Sequence, residues 1–154
     1  MSYAGRFGLL WIVLALVLSA AYRRWGVLLL TVIAVALADF VVAALKAIVD
    51  RPRPFTRYAE PKVLVPRPHD ASFPSGHAAT SFAAATILSL AFPKAAPVFL
   101  VLAAAVAYSR VYVGAHYPLD VIAGAALGAL VASGLWWLLQ RRRRGSIARA
   151  EAGS

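Results

Sequence analysis

The sequence predicts an all-α protein that spans a membrane as a helical bundle of about five helices, with six as the upper count. Three observations carry that expectation. Hydrophobic residues fill 62% of the 154 positions and charged residues only 14%, whereas a soluble domain is near half apolar and a quarter charged. The apolar residues run in long, almost unbroken stretches, each near the length needed to cross a bilayer. No linker between them is long or polar enough to separate two folding units, so residues 1–154 read as one transmembrane domain.

The stretches run from about Phe7 to Tyr22, Gly26 to Val49, Ser75 to Phe92, Pro97 to Tyr112 and Pro118 to Gln140. The first has a rival reading as a cleaved signal peptide, with Arg6 as its charged start and "LSAAY" as a loose cleavage site. Arg23 and Arg24 follow at once and suit a short loop between spans better. The first, third and fourth stretches are short for a span. They must stand upright or have their ends sheltered by neighbours. The fifth contains "IAGAALGALVASG", where Gly124 and Gly128 form a face of small residues that lets helices approach closely. Packing within the bundle is the simpler use of that face; a homo-oligomer contact is the alternative. Residues 141–154 read as a basic, flexible cytoplasmic tail.

The chain has no cysteine, which excludes disulfides and thiolate metal sites. Its formal charge is +10, but the basic residues lie in short segments between apolar runs. That pattern argues against nucleic acid as a partner. It favours topology signals and an anionic substrate in the bilayer. With five spans the basic residues divide eight and eight between the two faces. The face with Arg23, Arg24 and Arg141–Arg144 has tight arginine clusters and almost no acids, and is expected in the cytoplasm. Trp25, Trp136 and Trp137 would form an aromatic belt there. The other face, with Asp50, Glu60 and Asp70, is expected outside a plasma membrane.

That outer face collects the chemistry. Lys46 ends the second stretch and Arg53-Pro54 follows in "KAIVDRPRP". "PSGH" opens the third, and "SRVYVGAHYPLD" joins the fourth to the fifth. Alternating helix directions bring these distant pieces to one face. Ser75 after Pro74 is a good helix N-cap, and the free amides at Gly76 and His77 attract anions. Glycine at 76 admits an anion close to the backbone. Pro118 suits a first helical turn, which places His116 just outside that helix and Asp120 within it. Four residues at a helix start could bring carboxylate and imidazole together, as in an oriented nucleophile or base. Three cations (Lys46, Arg53, Arg110), a serine hydroxyl and helix-end amides suit a phosphate group. Two histidines on opposite sides of phosphorus suit in-line displacement.

On these residues the sequence resembles the type 2 phosphatidic acid phosphatase superfamily, whose signature is K-x6-R-P, P-S-G-H and S-R-x5-H-x3-D. Lys46…Arg53-Pro54, Pro74-Ser75-Gly76-His77 and Ser109-Arg110…His116…Asp120 match it without a departure. The resemblance implies a lipid phosphatase. His116 would attack phosphorus and form a phosphohistidine, Asp120 would hold its tautomer, and His77 would protonate the leaving group and later activate water. Lys46, Arg53, Ser75, Gly76 and Arg110 would bind the phosphate. No metal and no cofactor are implied. Extracytoplasmic facing makes a polyprenyl (undecaprenyl-type) diphosphate a natural substrate, with phosphatidic acid, phosphatidylglycerol phosphate and a polyprenyl-phosphosugar as alternatives. Two other classes fit the same pocket: a lipid phosphotransferase and a non-catalytic binder of lipid phosphate.

Some residues stand outside the motifs. Asp39 lies within the second stretch, where a carboxylate is costly, and is expected to hydrogen-bond a neighbouring helix. His69 and Asp70 read as loop polarity, with contact to a head group as the alternative. Arg51, Arg57, Lys62 and Arg67 read equally as solvated loop charge or as contacts to head groups.

Overall fold

A computed structural model describes residues 4–57 and 70–152, with side-chain surroundings for 8–56 and 70–142. The helices are α1 (Ala4–Ala21), α2 (Trp25–Val49), the short α3 (Pro54–Arg57), α4 (Gly76–Ala91), α5 (Ala96–Tyr112) and α6 (Pro118–Ala152). A 3-10 turn, Pro93–Ala95, leads into α5, and no strand occurs among the described residues. The chain is therefore all-α. The five long helices follow the five apolar stretches within a few residues. The exception is α6, which runs on through the basic stretch. His69, Glu60, Lys62 and Arg67 lie outside the described residues, as does the side chain of Arg57.

Helix α4 is the centre of the bundle and packs against α1, α2, α5 and α6. Its sequence, GHAATSFAAATILSLA, explains why. Alanines at 78, 79, 83, 84 and 85 are fully buried, and small side chains let neighbouring backbones come close. Sixteen residues rise only about 24 Å, short of a hydrocarbon core of about 30 Å. The encircling helices shelter the ends of α4, so its length is no obstacle. Trp25–Thr56, Pro93–Tyr112 and Pro118–Arg142 are long and apolar enough to cross a membrane, and Gly8–Ala21 is a shorter apolar helix. Their outer faces carry exposed large side chains such as Leu29, Phe40, Val101 and Leu130, a surface suited to lipid rather than water.

The α4–α6 contact is the tightest in the bundle. A Cβ placed on Gly124 would lie 2.4 Å from the Ser75 carbonyl oxygen, and one on Gly128 would lie 2.0 Å from that of Ala79. Both glycines thus serve close packing inside the bundle, and this face is not free for a second copy. The spacing also shows that α4 and α6 run parallel, so both begin at the same end.

Asp39 departs from expectation. Helix α2 buries Val27, Thr31, Ala34, Val35, Ala38 and Val42. The next position after Ala38 is rotated about 100° around the axis, which carries Asp39 off the buried stripe to the exposed surface beside Phe40. It does not form the expected hydrogen bond to a neighbouring helix.

The end away from the starts of α4 and α6 gathers the arginines and tryptophans. Arg24 Nη1 donates to the Ala91 carbonyl at 2.9 Å. Arg141 lies 3.9 Å over the Trp137 ring, and Trp25 is exposed. Trp25, Trp136 and Trp137, the residues expected to form a belt, thus share one end of the bundle.

Candidate active site

The opposite end is built from three turns. Helix α2 stops at Asp50, which adopts a left-handed backbone and donates its N–H back to Lys46. The chain then runs beside residues 70–72, and the Ser72 N–H donates to the Arg51 carbonyl at 2.8 Å. Ser75 caps α4, its hydroxyl accepting from the Ala78 N–H, while its own N–H donates to the Asp120 carbonyl at 2.9 Å. That bond ties the start of α4 to the start of α6. Between α5 and α6, Gly114 takes a positive φ of 68°, a conformation glycine adopts freely. The Ala115 and His116 amides then donate to the Arg110 carbonyl at 3.1 and 3.2 Å.

These turns bring His116, Asp120, Arg53, Lys46 and Ser75 together. His116 is only 4% exposed, so it is buried and not at an open helix entrance. Its Nδ1 lies 2.8 Å from the Ser72 carbonyl. A carbonyl only accepts, so Nδ1 carries the proton. The lone pair therefore sits on Nε2, which faces Arg53 Nη1 at 3.3 Å. Burial holds the imidazole below its ordinary pKa. Asp120 pulls it up, and the positive charges of Arg53 and Lys46 push it further down. His116 is thus neutral near neutral pH.

Asp120 reaches within 3.8 Å of His116 Nδ1, too far for a hydrogen bond. It is fully buried and accepts from the Ser72 hydroxyl at 2.5 Å, Arg51 Nη1 at 2.7 Å and the Tyr117 N–H at 3.0 Å. Its grip on His116 is therefore indirect: it holds Ser72, and the Ser72 carbonyl holds the ring. Arg51 also lies 4.2 Å over the Tyr117 ring.

Arg53 is 5% exposed. Its Nη1 donates to the Ala115 carbonyl at 2.9 Å, its Nε to the Asp70 carbonyl at 2.9 Å and its Nη2 to Asp70 Oδ1 at 2.8 Å. Lys46 Nζ pairs with the other Asp70 oxygen. Burial would raise the Asp70 pKa, but Lys46 and Arg53 outweigh it and hold the carboxyl below its usual range. An exposed carboxylate thus sits between the two cations read from the sequence as phosphate ligands.

Gly76 and His77 open α4, with Gly76 buried and His77 partly so. Arg110 Nε donates to the Ser109 hydroxyl at 3.0 Å. Its side chain borders a crevice of about 380 Å3 with Leu10, Trp11, Leu14, Ala105 and Val106. A larger crevice of about 510 Å3 lies at the other end of the bundle, between Arg24, Leu30, Leu90 and Trp136. Gln140 on its rim is about 30 Å along α6 from Asp120, so it has no part in this site. Among the described residues, no group of three His, Asp or Glu side chains could hold a metal ion.

The sequence reading missed Arg51, Asp70 and Ser72. Arg51 is a variable position inside K-x6-R-P and Asp70 and Ser72 lie just before PSGH, and nothing local separates such polar loop residues from solvated loop polarity.

The chain is 40% identical over 110 residues to an undecaprenyl-diphosphatase of Sulfolobus acidocaldarius, covering 71% of this chain and 52% of that protein. It is 36% identical over 132 residues to a decaprenylphosphoryl-5-phosphoribose phosphatase of Mycobacterium tuberculosis, covering 85% and 72%. The chain thus spans about half the length of the first of these relatives. The crystal structure of Aquifex aeolicus LpxE superposes with a TM-score of 0.73 at 28% identity, over 87% of this chain and 83% of that one. The sequence profile of the PAP2 superfamily matches residues 25–144, from the start of α2 through the basic run of α6. Over that length, and with all three motif segments meeting at one end of a membrane bundle, the chain belongs to the PAP2 superfamily.

Proposed function

We propose that the protein is a metal-independent membrane lipid phosphatase. It removes phosphate from a lipid phosphate or a polyprenyl diphosphate of undecaprenyl type, through a phosphohistidine. The observation that carries this reading is the tautomer of His116. With its Nδ1 proton on the Ser72 carbonyl, His116 keeps its lone pair on Nε2, which accepts from Arg53 Nη1 at 3.3 Å and so faces the cation that would hold the phosphate. Relatives named for polyprenyl substrates support the same class.

In this mechanism the substrate phosphate takes the place of the Asp70 carboxylate between Lys46 and Arg53. Arg110, Ser75 and the Gly76 amide complete its binding. Nε2 of His116 attacks phosphorus, the bond to the leaving oxygen breaks, and His77 donates a proton to that oxygen. Water then attacks the phosphohistidine, His77 takes its proton, and the P–N bond breaks to release phosphate. Asp120 is a negative charge 3.8 Å from Nδ1, which stabilises the ring as it becomes positive. The active site faces the outside of the plasma membrane, with the C-terminus in the cytoplasm.

The direct test is phosphate release by the purified protein in detergent with EDTA. The substrates are a polyprenyl diphosphate, phosphatidic acid and phosphatidylglycerol phosphate, each followed across pH. Release is expected to resist EDTA. Neutral His116 is the reactive form and its pKa is lowered. The rate should therefore hold as pH falls through the ordinary imidazole value of about 6.5 and drop only below it. A rate that climbs steadily to pH 4 would rule out a neutral histidine nucleophile. No release from any lipid would point to a transferase or a binder.

Asp70→Asn tests the displacement step. It removes the competing charge and keeps a side chain of the same shape. KM should fall by about tenfold, equivalent to about 1.4 kcal/mol, with kcat little changed. An unchanged or raised KM would show that Asp70 does not compete with substrate.

A further inference from the structure

The crevice beside Arg110 has a use that the motifs do not assign. Among the described residues, helices α1 and α5 both pack on α4 but not on each other, which leaves a gap between them. The gap is lined by Leu10, Trp11 and Leu14 from α1 and by Ala105 and Val106 from α5. Trp11 is buried, while Leu10 and Ala105 are exposed on the outer surface. The gap is therefore backed by protein and open to the bilayer. Leu102 to Arg110 covers about 12 Å along α5, so it runs from hydrocarbon depth up to the active-site end. There it ends at Ser109 and Arg110. The Arg110 carbonyl holds the His116 amide at 3.2 Å, so the polar end of the crevice adjoins the turn that carries the nucleophile.

An apolar trough with a guanidinium at the end nearest the reacting histidine is complementary to one kind of molecule: a hydrocarbon chain with phosphate at its tip. We infer that the α1–α5 crevice seats the tail of the lipid substrate, with Arg110 at the junction of tail and phosphate. The inference rests on the phosphatase reading and extends it. Tail binding would deliver the phosphate to His116 from within the bilayer, and a water-soluble ester would gain nothing from the crevice.

The test fills the crevice and compares two substrates. Ala105→Trp places an indole in the trough from an exposed position of α5. Its kcat/KM for a polyprenyl diphosphate should fall about tenfold or more, with hydrolysis of p-nitrophenyl phosphate unchanged. Loss of both activities together, or of neither, would overturn the seat. Leu10→Trp, from the α1 side, makes the same comparison should the first variant fail to fold. A second readout does not depend on turnover. A prenyl diphosphate with a benzophenone in its tail, cross-linked to the unaltered protein, should label peptides of α1 and α5 around residues 10–14 and 102–106. Labelling elsewhere, or none, would overturn the inference. Labelling there without phosphate release from any substrate would leave the seat standing and remove the phosphatase reading.

Discussion

His116→Ala should lower kcat by about ten-thousand-fold or more, the scale on which a catalytic nucleophile acts. The bundle should remain folded. His116 sits in the turn between α5 and α6, and its loss leaves the contacts of α4 with its neighbours intact. What it removes from the fold is the donor to the buried Ser72 carbonyl, worth about 1–3 kcal/mol. Phosphate release and thermal unfolding in the same detergent separate the two effects. Retention of a tenth of the activity would exclude His116 as nucleophile. A variant that could not be isolated folded would instead make His116 a structural keystone.

Gly128→Ala should lose more stability than the same change at Gly8, Gly26, Gly124 or Gly134. The new Cβ would sit 2.0 Å from the Ala79 carbonyl oxygen and 2.9 Å from the Ala83 nitrogen. Those are backbone atoms of the central helix, so no side chain can swing aside to relieve the clash. Overpacking in a tight core costs about 1–3 kcal/mol, occasionally more, and this site belongs at the upper end. Gly134 is the internal control, because a Cβ there meets nothing within 4 Å. Gly134→Ala should be neutral or gain up to about 1 kcal/mol from helix propensity. Equal melting temperatures for the two variants would contradict the parallel α4–α6 packing. Gly124, one turn earlier, approaches Ser75. Displacing α6 at Gly128 should therefore also disturb the cap of α4 and lower activity.

Much of this molecule is legible in its residues because the signals are local. Apolar runs of span length, the proline and serine that open PSGH, and a proline at 118 mark where helices lie and start. Alternating direction then brings Lys46, Arg53, His116 and Asp120 to one end. The small-residue face of Gly124 and Gly128 was equally visible, but its partner was not. Whether it meets α4 or a second chain depends on which helices enclose which. The same holds for Asp39: its depth in α2 follows from the sequence, but the side it faces depends on the buried stripe chosen by packing.

The pairings inside the site lie further from the sequence. The four-residue step from His116 to Asp120 suggests a direct contact, yet the ring proton goes to Ser72, and Asp120 turns to Ser72, Arg51 and the Tyr117 amide. Asp70 reads as loop polarity and stands between Lys46 and Arg53, the two cations expected to bind phosphate. These choices are made where residues 51–53 cross residues 70–72, and that crossing is set by how α2 packs on α4. Residue type and spacing thus establish the helices, the membrane setting and the set of candidate reactive groups. Which oxygen each proton meets, and where a tail can lie, is decided only when segments distant in sequence are packed around α4, because a hydrogen bond needs its partner within about 3 Å.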